Sequence, residues 1–178
     1  MSEKNATPTA KASKITASNS IKKDDLFPSI ALLSTQDNIV NLANEASNKH
    51  LVLFFYPGDK EGLRYPELMG CTPEACSFRD TIQELNKLGA IVYGASFQTS
   101  SRQKEFVMRE HLNFAILSDC DKKLAHAIGL DYWRSNTGEE FPVRTTFIIA
   151  KGGWVQRIFH AVDPAQHISE VIAEIKKL

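Results

Sequence analysis

The sequence predicts an α/β fold, a mixed central β-sheet flanked by α-helices. Two observations carry the prediction. From residue 51 onward, short runs of β-branched and aromatic residues alternate with longer stretches of helical apolar spacing, which implies crossover units in a layered sheet. Near the end, Lys151-Gly152-Gly153 turns one β-rich run directly into another, so the sheet is mixed rather than purely parallel.

The elements follow in order. Residues 51–56 (Leu-Val-Leu-Phe-Phe-Tyr) are a continuous apolar run stopped by Pro57-Gly58, as expected of a strand buried on both faces. A long connection, residues 57–70, leads to a helix with Thr72 as N-cap, Pro73 at its first position and Gly89 past its end. Its core stripe is Ala75, Phe78, Ile82, Leu85 and Leu88. Residues 90–95 read as a second buried strand, 101–112 as a helix, 114–117 as a short strand, and 121–128 as a helix closed by Gly129. Residues 145–149 and 154–159 form the hairpin, and Asp163-Pro164 opens a last helix with Ile168, Val171, Ile172, Ile175 and Leu178 on its apolar side.

Composition bounds the function. The 178 residues, 43% hydrophobic, fit one domain at roughly 100–200 residues per domain. The 21 basic and 21 acidic side chains cancel, which removes the electrostatic case for nucleic acid or an acidic membrane surface. No apolar run reaches the about 20 residues that span a bilayer, so no membrane role is expected. Residues 1–20 contain no apolar core of a secretory signal, and a cytoplasmic protein is the expectation. Those residues are rich in Ser, Thr, Ala and Lys with one large aliphatic, Ile15, and read as a mobile tail; the domain proper is expected at 21–178.

Three cysteines are too few for a disulfide scaffold in a chain this long. Cys71 follows a glycine at the end of the connection and begins a helix. Orphan amides and the helix dipole there favour a thiolate, and Gly70 allows close backbone approach to a small ligand. A free cysteine more commonly serves as a small buried hydrophobe, so position alone leaves both readings open. Cys76 lies five residues further on. In a regular helix that spacing puts the Cα atoms roughly 9 Å apart, whereas a disulfide needs less than about 7 Å. Either the first turn unwinds and the thiols pair, or Cys76 packs against a neighbouring element and never meets Cys71. Cys120 has acidic residues on both sides, Asp119 and Asp121, which disfavour a thiolate, and it reads as a bystander.

Other chemistries lack their patterns. Cys71 and Cys76 have the spacing of one zinc-ligand pair, but a second pair is missing and the five histidines (His50, His111, His126, His160, His167) include no close pair. No metal or cofactor is expected. Serine-hydrolase and phosphate-loop signatures are absent.

Residues 70–80, Gly-Cys-Thr-Pro-Glu-Ala-Cys-Ser-Phe-Arg-Asp, resemble the active-site segment of the peroxiredoxins, and most of all the bacterioferritin comigratory protein (peroxiredoxin Q) group with its pattern G-C-T-x-x-A-C-x-F-R-D. Phe54-Phe55-Tyr56-Pro57, Leu117-Ser118-Asp119 and residues 142–149 match in order, so the resemblance covers about 22–178. It implies a thioredoxin-like fold and thiol-dependent reduction of hydrogen peroxide and organic hydroperoxides. By position, Cys71 would be the peroxidatic cysteine and Cys76 the resolving cysteine of an intramolecular disulfide, within a monomer recycled by a thioredoxin-type reductant. Arg144 would hold the thiolate and polarise the peroxide; without the resemblance it would read as a surface ion-pairing residue.

The chain departs from the family in one place. The family threonine three before the cysteine is Leu68 here, Met69 precedes Gly70, and thirteen residues rather than six separate Pro57 from Cys71, an apparent insertion over 60–68. Thr72 or Tyr65 are candidate substitute hydroxyls, Arg64 a further candidate in the loop, and Pro66 a candidate replacement for Pro57. The missing hydroxyl keeps two alternatives open: a thiol–disulfide oxidoreductase, although C-x-x-C is absent, and a non-enzymatic thioredoxin-like regulatory module.

Overall fold

The computed structural model describes residues 12–59, 65, 69–160, 163 and 166–178. The run predicted at 51–56 is β4 (His50–Phe55), an interior strand of a seven-stranded sheet. Its neighbours are β5 (Ala90–Ser96), parallel to it, and β9 (Thr145–Ile149), antiparallel. Outward from β9 lies β10 (Val155–His160); outward from β5 lie β6 (Ile116–Ser118), β2 (Ala31–Ser34) and β3 (Ile39–Asn41). The predicted hairpin is the antiparallel β9–β10 pair, and the sheet is mixed as expected.

Alternate side chains of β4 build two cores. Leu51, Leu53 and Phe55 face Leu42 and Ala46 of α1 (Leu42–Asn48) and Leu124, Ala125 and Ile128 of α4 (Lys123–Ile128). Val52, Phe54 and Tyr56 belong to the opposite core, with Ala75, Phe78, Ile82 and Leu85 of α2 (Cys71–Lys87), Phe106 of α3 (Ser100–Arg109), and Val171 and Ile175 of α5 (His167–Ile175). A strand covered on both faces can be apolar at every position, which is why 51–56 lacks alternation.

Several boundaries move. The N-cap of α2 is Gly70, not Thr72, with φ 103°, so Cys71 itself is the first helical residue. That positive φ suits glycine, and no side chain caps the helix. The strand expected at 114–117 begins at Ile116, α4 begins at Lys123, and α5 begins at His167. Pro164 lies outside the described residues.

The expected mobile tail needs correction over its second half. Ala12–Ile15 is a strand, β1, antiparallel to β7 (Tyr132–Ser135), which pairs in turn with β8 (Glu140–Pro142) in a second, three-stranded sheet. Beyond this backbone ladder, the Ala17 amide donates to the Asp131 carboxylate (2.9 Å), the Ser20 hydroxyl to the Gly129 carbonyl (2.7 Å) and the Ile21 amide to the Ile128 carbonyl (2.9 Å). At Gly129 a Cβ would stand 2.1 Å from the Asn19 carbonyl oxygen, so the glycine makes room for the segment. Small polar residues bury little apolar surface, yet any non-proline residue can fill an open strand edge. Residues 1–11 lie outside the described residues.

Candidate active site

Because β4 and β9 are antiparallel, the end of one lies beside the start of the other: Phe55 pairs with Thr145. The chain leaving β4 passes Tyr56, Pro57 and Gly58 on its way to Cys71, and Arg144 immediately precedes β9. Two segments 73 residues apart thus meet at one end of the sheet. The departing loop is pinned at its root, where the buried Asp59 carboxylate accepts from Arg109 (2.9 Å) and from Gln98 (3.1 Å).

Cys71 is buried, and Arg144 Nη2 lies 3.3 Å from its Sγ. The same nitrogen donates to the Met69 carbonyl at 3.0 Å, tying the guanidinium to the backbone two residues before the thiol. Arg144 Nη1 donates to Glu74 Oε2, within an ion pair that is itself almost fully buried. Burial pushes the Cys71 thiol up; the charge and hydrogen bond of Arg144 and a backbone amide at Gly58 oppose it. The groups that favour the thiolate come from the residue before β9 and the loop after β4 rather than from the helix start, and removal from water outweighs them. Burial also pushes the Glu74 carboxyl up from 4.5 to about 7, against the pull of Arg144.

Cys76 lies half-buried on α2, its Sγ 3.9 Å from a Glu110 carboxylate oxygen just past α3. Burial raises its pKa; Arg79 opposes that, while Glu110 and Asp80 add to it. Arg79 also donates to the Glu110 carbonyl (2.7 Å), closing α2 onto the end of α3. All three cysteines are reduced, and Cys71 and Cys76 share an unbroken helix. Cys120 is exposed just past β6, with Asp121 3.9 Å from its sulfur.

Two residues escaped sequence reading. Glu74 is one helical turn from Cys71 and so shares its face, but an acid in a first turn reads simply as a dipole partner. His167 is buried and shares a 2.7 Å hydrogen bond with Thr146, two residues past Arg144. Burial and then Arg144 lower its pKa from 6.5 to about 4. Among the candidate substitute hydroxyls, Tyr65 is buried and donates to Glu139 at 2.9 Å while its ring packs on Phe141. Leu68, Arg64 and Pro66, with the remainder of the 60–68 insertion apart from Tyr65, lie outside the described residues. Among the described residues, no group of three or more His, Cys, Asp or Glu could hold a metal, and no helix is long and apolar enough to cross a membrane.

The chain and its fold have counterparts in known proteins. Residues 24–158 match the AhpC/TSA family. The chain belongs to that family. Within it, the chain is 30% identical to peroxiredoxin Bcp of Bacillus subtilis, over 85% of this chain and 92% of that one. It is 32% identical to the chloroplastic peroxiredoxin Q of Triticum aestivum, over 89% of this chain and 68% of that one. Its structure superposes on peroxidoxin BcpB of Mycobacterium tuberculosis with a TM-score of 0.77 at 26% identity, covering 89% and 98% of the two chains. The thioredoxin-like fold and the thiol peroxidase class expected from residues 70–80 are thereby established.

Proposed function

We propose that this peroxiredoxin reduces hydrogen peroxide and organic hydroperoxides with Cys71 as the peroxidatic thiol and Cys76 as the resolving thiol. A thioredoxin-type reductant then restores both. The observation that supports the assignment most directly is Arg144 Nη2 at 3.3 Å from Cys71 Sγ. A guanidinium there stabilises the thiolate and, with its planar set of donors, the negative charge that grows on the peroxide oxygens.

The Cys71 thiolate attacks one peroxide oxygen, the O–O bond breaks, and the other oxygen leaves as water or alcohol after taking a proton. Sulfur is oxidised to sulfenic acid and the peroxide is reduced. Cys76 then attacks the Cys71 sulfenic acid; an S–S bond forms and the hydroxyl leaves as water with the Cys76 proton. Helical geometry holds the two Cα atoms roughly 9 Å apart, so the start of α2 unwinds before this bond closes. Both thiols sit on one helix, and a single chain can complete the cycle. Exchange with a dithiol reductant returns the protein to its starting state.

The test is hydrogen peroxide consumption with thioredoxin and thioredoxin reductase, for the unsubstituted protein beside Cys71→Ser and Cys76→Ser. Turnover should vanish in Cys71→Ser. Cys76→Ser should stop cycling while still forming a sulfenic acid that a dimedone probe traps. Undiminished turnover in Cys71→Ser overturns the assignment.

A further inference from the structure

Arg144 stands at the joint between the two sheets. In the small sheet β8 ends at Pro142, and in the large sheet β9 begins at Thr145, so Val143 and Arg144 make the joint. Pro142 has no amide hydrogen to donate. The first amide before Arg144, that of Val143, donates to the carbonyl of Asp131 at 2.9 Å, immediately before β7. The Asp131 carboxylate is held in turn by the N-terminal segment: Oδ1 accepts from the Ala17 amide at 2.9 Å, and Oδ2 pairs with the Lys14 ammonium at 3.0 Å. That segment spans the same joint. Ala12–Ile15 is a strand of the small sheet. Further on, the Ile21 amide donates to Ile128 of α4 (2.9 Å), and Asp24 and Asp25 bond through their backbones to Val155 of β10 in the large sheet (2.8 and 2.9 Å). The two sheets are thus linked twice, by the chain at 143–144 and by a strap over residues 12–25. Polar contacts fasten the strap around Asp131, and such contacts exchange readily with water.

We propose that Asp131 is a positioning residue for the peroxidase step: its carboxylate docks the N-terminal strap and its carbonyl fixes Val143, so that docking of the strap sets the Arg144 guanidinium on the Cys71 sulfur. The inference deepens the proposed function and rests on Cys71 being the reacting thiol. Arginine has a long side chain with many rotamers, and aiming it costs conformational entropy that a fixed backbone limits. Downstream, that backbone is fixed by β9, where Thr145 pairs with Phe55. Upstream, it is fixed by the bond from Val143 to Asp131 and by the Thr145 hydroxyl, which donates to the Val143 carbonyl at 3.1 Å. A misplacement of about 1 Å at a reacting group costs on the order of 10²-fold in rate. A slack joint is therefore felt at Cys71, although Asp131 touches neither the sulfur nor the peroxide. The coupling is reciprocal: strap docking favours the contact of Arg144 with Cys71, and loss of that contact weakens the docking. When Cys71 leaves Arg144 to pair with Cys76, the strap is held less tightly.

The experiment follows Cys71 in the full chain carrying Cys76→Ser and Cys120→Ser, so that one thiol remains. Two readouts are taken: the rate constant of sulfenic acid formation with hydrogen peroxide, and the midpoint of Cys71 alkylation against pH. Ala17→Pro removes the amide donor of the strap, and Asp131→Ala removes its acceptor. Each should lower the rate constant about fivefold or more, and each should raise the alkylation midpoint, because Arg144 favours the thiolate. The double variant should lose little beyond either single one, since both break the same bond. Asp131→Asn, which keeps an acceptor for the Ala17 amide, should recover most of the rate. A strap that serves stability alone would lower the urea midpoint and leave both readouts of the folded protein where they were, and that result overturns the proposal. A second measurement needs no substitution, so it stands even if a variant folds poorly. Amide hydrogen exchange over residues 12–21 is compared between the reduced protein and its disulfide form. Exchange should be faster in the disulfide form; equal exchange overturns the proposal. Failure of the Cys71 assignment shows separately, as peroxide turnover that survives Cys71→Ser.

Discussion

From Phe78 onward, α2 is fastened to the sheet by apolar contact. The Phe78 ring stacks on Phe54 at 4.5 Å, Ile82 and Leu85 are buried behind it, and α5 packs alongside. The first two turns are held differently. There the buried apolar side chains are small, Cys71 and Ala75, and the fixing contacts are polar: Glu74 on Arg144 and Cys76 against Glu110. Apolar burial is non-directional and is lost only by exposing area, whereas a polar pair can be exchanged for water or neutralised by one proton. A helix built this way can open at its start and remain anchored beyond it. Joining two cysteines five residues apart requires such an opening.

The largest effect expected from breaking this division lies in the anchored half. Phe78→Ala should cost about 3–5 kcal/mol, as for other buried aromatics cut to alanine, and urea denaturation should show the loss as a lower midpoint for the whole domain. If the midpoint barely moves, the anchored half does not hold α2.

An intermediate effect depends on pH. The Glu74 carboxyl is raised on folding from 4.5 to about 7, by burial first. Between those values the folded state binds the proton that the unfolded chain has released. This contribution is therefore complete below about pH 4.5 and is lost as pH rises through 7, on the order of 3 kcal/mol at most. His167 acts in the opposite sense: its pKa falls from 6.5 to about 4, so its contribution is present above 6.5 and lost as pH drops toward 4. The two slopes partly cancel in the unsubstituted protein. Urea midpoints for Glu74→Gln between pH 4.5 and 7.5 should expose the His167 slope alone, with stability falling on acidification. An unchanged pH profile in that variant would remove Glu74 from the comparison.

The smallest effect belongs to the outer surface of the anchored half. Lys176 reaches Glu84 at 3.0 Å, but both side chains are about half exposed. Lys176→Ala should change stability by less than about 1 kcal/mol, within the scatter of a denaturation midpoint. A larger loss would show that the polar tie between α5 and α2 contributes as the apolar packing does.

Much of the fold was legible because its central elements repeat strong local patterns. The runs at 51–56 and 90–95 are apolar throughout, 145–149 is β-branched and aromatic, and the α2 stripe recurs at helical spacing. The regions passed over, β2, β3 and α1 with the small β1–β7–β8 sheet, are short and mostly half-exposed. Asn41 was a readable signal: its side chain caps α1 by accepting from the Ala43 and Asn44 amides. The pairing of Ala12–Ile15 with β7 left no trace in composition, because backbone hydrogen bonds are open to almost any side chain.

The sequence by itself determined the family, the α/β class and the cysteine segment, since these rest on residue identity at fixed local spacing. Only the tertiary structure decided what surrounds the thiol. Arg144 reaches Cys71 because β9 runs antiparallel to β4, and Glu74 meets the same guanidinium because that junction is buried. Burial is a collective property of the packed layers. The same glutamate that spacing marks as an ordinary first-turn acid becomes, once removed from water, a buried group that shares the Arg144 guanidinium with Cys71.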